Sequence, residues 1–298
     1  MKETIARLQH AMAAQGYVTD RATATAAYLA LTLHKPLLVE GPPGVGKTEI
    51  AKVLAGVLDT ELIRLQCYEG LDASTALYEW NYPKQLLHIK LGEGAGQSIG
   101  EREAQIFSEP FLLERPLLRA IRASRQTVLL IDEIDRSDEE FEAFLLEVLS
   151  EHQVTIPEIG TVRATYEPCV VLTSNRTREL SEALRRRCLY LWIDYPSLEK
   201  EVEIVRAKVP AIDTKLAASV AAFVQAVRRH RLIKTPGVAE TLDWAHALVA
   251  LGANTIDDDT ASETLGCVLK DEADIRQIRA EVASRGAAAV VAAGERTE

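Results

Sequence analysis

The chain has 298 residues, 44 acidic against 34 basic side chains, a formal net charge of -10 at pH 7 and 47% hydrophobic content. That length and apolar content exclude a single small module, and the acidic balance argues against a dedicated nucleic-acid binder, so no nucleic-acid partner is expected. No apolar run approaches the roughly eighteen residues of a membrane span, the start MKETIARLQHAM lacks a basic and apolar leader, and Cys67, Cys169, Cys188 and Cys267 form no C-x-x-C pair; a cytoplasmic protein with reduced thiols is expected.

Ile5, Leu8 and Met12 recur at helical spacing, Gly16 ends that helix, and an alanine-rich helix follows from about Asp20 to His34. KPLLVEGPPGVGKTEIAKVLAGVL then predicts a strand at Leu37, Leu38 and Val39, a glycine-rich turn, and a helix with Ile50, Val53, Leu54 and Val57 on one face. Residues 67–115 are long and irregular. Within them Tyr78, Trp80 and Tyr82 read as a small local core in preference to a client-gripping loop, and LGEGAGQSIGERE as either a pore-facing loop or a turn. A second apolar strand, TVLLIDEID, precedes the helix DEEFEAFLLEVLSEH and a hairpin, QVTIPEIGTVRA, about Ile159 and Gly160. A third apolar strand, CVVLTSN, ends at Asn175. Runs this continuous predict strands buried on both faces, hence an α/β domain with a central parallel sheet covered by helices. Beyond Pro196 helical spacing prevails over 197–209, 212–230, 237–251 and 258–285. The expected organisation is a nucleotide-binding α/β domain over 1–196, with an insert near 67–115 and a hairpin near 153–166, then an all-helical domain over 197–298.

GPPGVGKT, Gly41 to Thr48, fits G-x-x-x-x-G-K-[ST] in the strand, turn and helix context that motif needs. Gly41, Gly44 and Gly46 allow a turn tight enough to aim successive N–H groups at phosphate oxygens, at the positive end of a helix. Lys47 then reaches the β- and γ-phosphates of ATP and Thr48 places its hydroxyl on Mg2+, while Pro42, Pro43, Val45 and Glu49 complete the expected nucleotide contacts. At the end of TVLLIDEID, Asp132 suits the metal and Glu133 suits a base that polarises the attacking water. Asn175 can orient that water, or serve as a plain strand-end turn. In EALRRRCLY, Arg185, Arg186 and Arg187 are either a salt-bridged helix end or a cationic group meant for a neighbour. The six histidines share no spacing and read as surface or capping residues.

Together, the loop at 41–48, the strand ending in Asp132 and Glu133, Asn175, the arginines at 185–187 and the helical C-terminal part resemble the AAA+ ATPase superfamily. That resemblance implies a three-layer αβα P-loop NTPase domain followed by a smaller helical lid. The long segment before Asp132, the DEIDR wording and the hairpin ahead of Asn175 look like the MoxR branch. YVTDRATATAAYLALTLHKPLLVEGPPGVGKTEIAKVLA and KTPGVAETLDWAHAL look most like its CoxD-type members, associated with maturing molybdenum-containing CO dehydrogenases. The resemblance implies a Mg·ATP-driven ring, usually a hexamer, acting as a chaperone on a metalloenzyme client, often with a von Willebrand factor A-type partner. It also implies that Val18 lies against the adenine through its backbone, that Asn175 is the first sensor, and that Arg187 is an arginine finger. Arg186 is the second choice for that role and Arg185 a surface salt-bridge former. An arginine supplied across a boundary makes hydrolysis depend on assembly.

The sequence departs from the superfamily pattern in one place. Where a lid helix usually opens on a sensor arginine, it reads Thr235, Pro236, Gly237, with Lys234 and Arg231 as nearby substitutes. Two other readings stay open: a nucleic-acid AAA+ motor or clamp-loader-like subunit, suggested by Arg187 before Cys188, and a nucleotide-gated scaffold with little turnover, suggested by Gly237.

Overall fold

A computed structural model describes residues 2–91, 100 and 105–295. Nearly all of LGEGAGQSIGERE and the last residues of the C-terminal tail lie outside the described residues. The chain divides into two compact units, one of Met1–Leu8, Arg21–Glu40 and Ile50–Trp192, the other of Gln9–Asp20, Gly41–Glu49 and Ile193–Glu298. We call them the sheet unit and the helical unit.

The chain begins with α1 (Lys2–Ala14), closed by Gly16 at φ +74, and α2 (Arg21–Leu33). β1 (Leu37–Glu40), β2 (Leu62–Gln66), β5 (Val128–Asp132), β8 (Cys169–Ser174) and β9 (Leu189–Trp192) form a five-stranded parallel sheet in the order β2-β5-β8-β1-β9. The three central strands are buried along their whole length, as continuous apolar runs require. The edges differ. In β2 the even positions Arg64 and Gln66 face out while Ile63 and Leu65 are buried, and in β9 Tyr190 and Trp192 are exposed around a buried Leu191. Neither edge strand is among the three strands expected: in β2 a short half-exposed alternation carries a weaker signal than an apolar run, whereas the apolar LYLW of β9 is too short for periodicity to tell it from a helix segment.

Between β1 and β2 lies α3 (Lys47–Val57), which starts at the lysine of the glycine-rich turn. The region after β2 contains α4 (Ala73–Leu77), α5 (Tyr82–Leu91), α6 (Pro116–Ile121) and a small antiparallel sheet of β3 (Tyr78–Trp80) with β4 (Leu112–Glu114). Trp80 is buried there, its ring edge-on to Phe107 at 5.3 Å and to Tyr78 at 5.9 Å, which is the local core expected; Tyr82 is exposed and does not join it. α7 (Glu139–Glu151) is capped by Asp138, which accepts from the Phe141 N–H at 2.8 Å, and the expected hairpin follows as β6 (Gln153–Ile156) and β7 (Gly160–Arg163), with Gly160 at φ +97. α8 (Glu182–Arg187) leads into β9.

The helical unit contains α9 (Leu198–Lys208), α10 (Thr214–Arg228), α11 (Val238–Ala250), α12 (Asp258–Val268), α13 (Glu272–Arg285) and α14 (Ala287–Glu295). Its core centres on Trp244 and Phe223, rings 5.0 Å apart, and the buried indole N–H donates to Thr264 Oγ1 at 2.7 Å. The single helix expected over 258–285 is two helices. Leu269 adopts an extended conformation, and the Asp271 carboxylate accepts from the Ala273 N–H at 2.9 Å to open a new helix. Among the described residues no helix is long and apolar enough to cross a membrane.

Candidate functional site

The parallel sheet ends its central strands in polar residues at one edge. β5 delivers Asp132, 2% exposed, and β8 delivers Thr173, 1% exposed. The Thr173 hydroxyl donates to Asp132 Oδ1 at 2.5 Å and accepts from the Glu133 N–H at 2.9 Å, so one hydroxyl fixes both acidic residues. From the edge strand, Arg64 Nη2 donates to Asp132 Oδ2 at 2.5 Å. Glu133 sits at φ +54 and ψ +49, left-handed backbone that a non-glycine residue adopts at a cost of about 1 kcal/mol. This bend breaks the strand alternation and carries Glu133 away from Asp132. Gln66 Nε2 donates to Glu133 Oε2 at 3.1 Å, with Arg136 Nη1 at 3.4 Å from the same oxygen.

Asn175, one residue past β8, belongs to a loop fixed from below. The buried Asp135 Oδ2 accepts from the Asn175 N–H at 3.2 Å, the Thr177 N–H at 2.9 Å and the Thr177 hydroxyl at 2.7 Å. Ser174 Oγ accepts from the Arg176 N–H at 3.0 Å, and the Arg176 guanidinium lies 5.8 Å from the Trp192 ring centroid. Glu133, Asp135, Arg136, Asn175, Thr177 and Arg178 line one cavity of about 440 Å³. The sheet unit therefore brings Glu133 and Asn175 together. Close by, the Cys67 thiol is pushed up to about 12 by burial, with Asp132, Asp135 and Glu133 adding to the shift and Arg178 opposing it.

Arg64, Gln66 and Asp135 carry no role in the sequence motifs, and Thr173 appears there only as part of a strand end. The signal for Arg64 and Gln66 lies in IRLQC, which alternates apolar and polar residues over five positions and so places both on one face of a strand.

The glycine-rich turn and Val18 fall within the helical unit. Gly44 at φ +74 and Gly46 at φ +91 hold conformations that favour glycine, and a Cβ on Gly41 would lie 2.0 Å from the Ile193 carbonyl oxygen. Lys47 is 7% exposed, with Nζ donating to the carbonyls of Gly41 at 2.8 Å and Pro42 at 2.6 Å, so its ammonium lies inside the turn. Glu49, in the first turn of α3, pairs with Lys208 at 2.8 Å. Next to Val18, burial raises the Tyr17 phenol, with Asp20 and Glu49 adding, which places that segment in the neighbourhood of the first turn of α3.

The arginines divide their work differently from expectation. Arg186, four residues after Glu182, forms the surface salt bridge at 2.5 Å, with both side chains 77% exposed. Arg185 instead covers the Tyr190 ring at 5.5 Å, so the surface salt-bridge assignment moves from Arg185 to Arg186 by the i,i+4 spacing on α8. Arg187 is exposed, its Nε donating to Ser150 Oγ at 2.6 Å and Nη1 to the Ala183 carbonyl at 3.0 Å.

Taken separately, the turn of the helical unit carries groups that suit nucleotide phosphates, and the strand end of the sheet unit a carboxylate that suits Mg2+. In the helical unit the turn has room for backbone only at Gly41 and Gly44, and an ammonium lies within it; in the sheet unit a buried carboxylate stands at a strand end. Among the described residues no three His, Cys, Asp or Glu groups form a closed metal cage.

The profile of the family described as "ATPase family associated with various cellular activities (AAA)" matches residues 37–192, just over half of the chain, from β1 through β9. Uncharacterized proteins of Staphylococcus haemolyticus and of Staphylococcus aureus (strain bovine RF122 / ET3-1) are 29% and 28% identical over 169 residues, a span that is 55% of this chain and 57% of each relative. The chain thus matches little more than half the length of these curated relatives. Among solved structures, a RuvB mutant of Thermotoga maritima superimposes with a TM-score of 0.50 at 20% identity, over 84% of this chain and 70% of that one. A structure described as the Thermotoga maritima RuvB Holliday junction branch migration motor gives 0.47 at 20% identity, over 83% and 67%. At such identity the likeness concerns the fold alone.

Proposed function

Because the chain belongs to the AAA family of ATPases and so binds nucleotide, we propose that it hydrolyses Mg·ATP as a ring-forming chaperone of the MoxR type, in the cytoplasm. The observation that carries the reading is the Thr173 hydroxyl, which holds Asp132 and Glu133 at one strand end in a chain that also contains the glycine-rich turn and Lys47. Passive nucleotide binding needs no second carboxylate beside Asp132. A base does.

The turn from Gly41 through Gly46, with Pro42, Pro43 and Val45, offers backbone N–H groups to phosphates, and Lys47 offers an ammonium that exchanges loop carbonyls for phosphate oxygens. Val18 takes the adenine through its backbone, and Glu49 closes the first turn of the helix. Thr48 and Asp132 are the residues that would hold Mg2+, which when bound neutralises charge developing on the transferred phosphate. Glu133 accepts the proton of the attacking water. Asn175 orients that water, its backbone held by Asp135. Arg187, exposed at the end of α8, is the residue offered to a neighbour's nucleotide, and this dependence on assembly favours a closed ring, which we take as a hexamer.

For the client, the DEIDR wording, the hairpin of β6 and β7 and the CoxD-like segments support a molybdenum-containing CO dehydrogenase-type hydroxylase, reached with a von Willebrand factor A-type partner. A net charge of -10 favours a protein client over nucleic acid.

The test is steady-state ATP hydrolysis with and without Mg2+ across a protein concentration series. Turnover per subunit should rise as assemblies form, and Glu133→Gln should keep nucleotide affinity while losing about 100-fold or more in turnover. Equal turnover in dilute monomer, stimulation by DNA, or a Glu133→Gln protein as fast as its parent would each count against the reading.

A further inference from the structure

The helix α11 opens where a sensor arginine is usual in the superfamily, and the residue there is Gly237. Its backbone, φ -87 and ψ -172, is extended and open to any residue, so conformation does not require glycine. Space does. A Cβ on Gly237 would lie 2.8 Å from the Gly44 Cα, 2.8 Å from the Pro43 carbonyl oxygen and 2.9 Å from the Gly44 carbonyl carbon, all backbone atoms that cannot swing aside. Gly44 has the matching need: at φ +74, a Cβ on it would lie 3.1 Å from the Gly237 Cα. The Ala239 N–H, in the first turn of α11, donates to the Gly44 carbonyl at 3.1 Å. Two glycines far apart in sequence therefore meet backbone to backbone in the middle of the glycine-rich turn, and a side-chain sensor at 237 has no room.

The turn ahead of α11 is braced from behind by a buried ion pair. Arg228 on α10 grips Glu201 on α9 through both nitrogens, at 2.6 and 2.7 Å, with the two side chains 6% and 0% exposed. The same guanidinium donates through Nε to the Pro236 carbonyl at 2.7 Å and through Nη2 to Thr241 Oγ1 at 3.1 Å. Thr241 Oγ1 donates to Glu201 Oε1 at 2.6 Å, and Gln225 Nε2 donates to Glu201 Oε2 at 2.7 Å. A buried pair is costly unless its hydrogen-bonding capacity is filled, and here it is filled in a way that fixes the Pro236 carbonyl. Glu240 completes the bracket by accepting the Gly237 N–H at 2.8 Å. Lys234 and Arg231, the substitutes considered from sequence, are exposed and take no part in this bracket; Arg228 acts instead, through backbone.

We propose that the Pro236–Gly237 turn reads the phosphate loop by direct backbone contact in place of a side-chain sensor, with Gly237 and Arg228 as positioning residues for nucleotide binding. The proposal rests on the ATP-site reading of residues 41–48. Close-packed backbone has no slack, so a nucleotide that reshapes the loop at Gly44 displaces the start of α11 with it. Restoring the superfamily's usual residue would then do harm, because an arginine at this position wedges the helix off the loop.

The test uses the full chain, a fluorescent ATP analogue with Mg2+, steady-state kinetics and thermal unfolding without nucleotide. Gly237→Ala and Gly237→Arg should each weaken analogue binding about tenfold or more, with Gly237→Ala still folded at the assay temperature although its unfolding midpoint falls, and Arg228→Lys, which keeps the charge but loses the fork, should weaken it in the same direction. Ala239→Pro replaces the N–H given to Gly44 by a ring carbon that pushes against the same carbonyl, at a position in the first helical turn where the missing N–H costs the helix nothing, and it decides the matter if Gly237→Ala fails to fold. Binding and KM within about twofold of the parent for Gly237→Ala, or for Ala239→Pro in its place, overturn the proposal. A parent that binds no analogue, or a Lys47→Ala protein that binds as tightly, overturns the ATP-site reading and this proposal together, and is seen before any Gly237 variant is measured.

Discussion

Thr173 illustrates how much a single hydroxyl can set at a strand end. It is both donor to Asp132 and acceptor from the Glu133 backbone, and it holds Glu133 in left-handed backbone that glutamate does not otherwise favour. Thr173→Val keeps the shape and removes the hydroxyl, leaving a buried carboxylate oxygen and an N–H without that partner. The variant should lose about 1–3 kcal/mol in denaturant unfolding. It should also lose about tenfold or more in kcat with a smaller change in nucleotide affinity, read by single-turnover kinetics beside equilibrium binding. The cysteines give a prediction with a defined sign. Burial pushes Cys67, Cys169 and Cys188 up to about 12, with Arg187 partly opposing it at Cys188. Folded values above the unfolded one mean that their contribution to stability is intact below about pH 9 and falls as pH rises from there towards 12. Unfolding free energies should therefore show that loss between pH 9 and 11, and native protein at pH 8 should resist alkylation at these three thiols until denatured.

At the scale of elements, legibility followed burial. β1, β5 and β8 were readable because apolar runs mark strands covered on both faces, and GPPGVGKT was readable because its glycines, lysine and threonine have fixed spacing. β2 and β9 were not, since β2 shows only a short alternation and the four apolar residues of β9 are too few for periodicity to tell a strand from a continuation of the preceding helix. With β2 went Arg64 and Gln66, whose side chains reach Asp132 and Glu133 across strands far apart in sequence. The break between α12 and α13 was hidden because Asp271 signals a cap only once Leu269 is seen to leave the helix. The loop after β8 depends on another residue that carried no signal of its own, Asp135. Asp135→Ala would leave the Asn175 and Thr177 N–H groups without their acceptor, and should lower stability by about 3 kcal/mol in thermal or denaturant unfolding. Turnover should fall with it, because Asn175 loses its fixed backbone.

At the scale of the molecule, sequence order and compact units part company. The glycine-rich turn joins β1 to α3 by chain, yet its own contacts are with the helical unit: Gly41 against Ile193, Gly44 against Gly237, Glu49 against Lys208. Those contacts link positions far apart along the chain, so no local pattern announces them. The departure at Gly237, which by sequence alone suggests a weak link between lid and nucleotide, is in the structure a direct backbone contact with the glycine-rich turn. The arginine triplet is sharpened in the same way, into Arg185 over an aromatic ring, Arg186 in a surface pair, and Arg187 exposed at the helix end. The central claim is that ATP bound by one subunit is hydrolysed with Arg187 of its neighbour. Mixing tests it directly: Arg187→Ala and Glu133→Gln proteins, each inactive alone, should regain ATP hydrolysis when co-assembled, because some boundaries then pair an intact Glu133 with an intact Arg187. Assemblies shown to contain both variants and still hydrolysing no ATP would contradict the account.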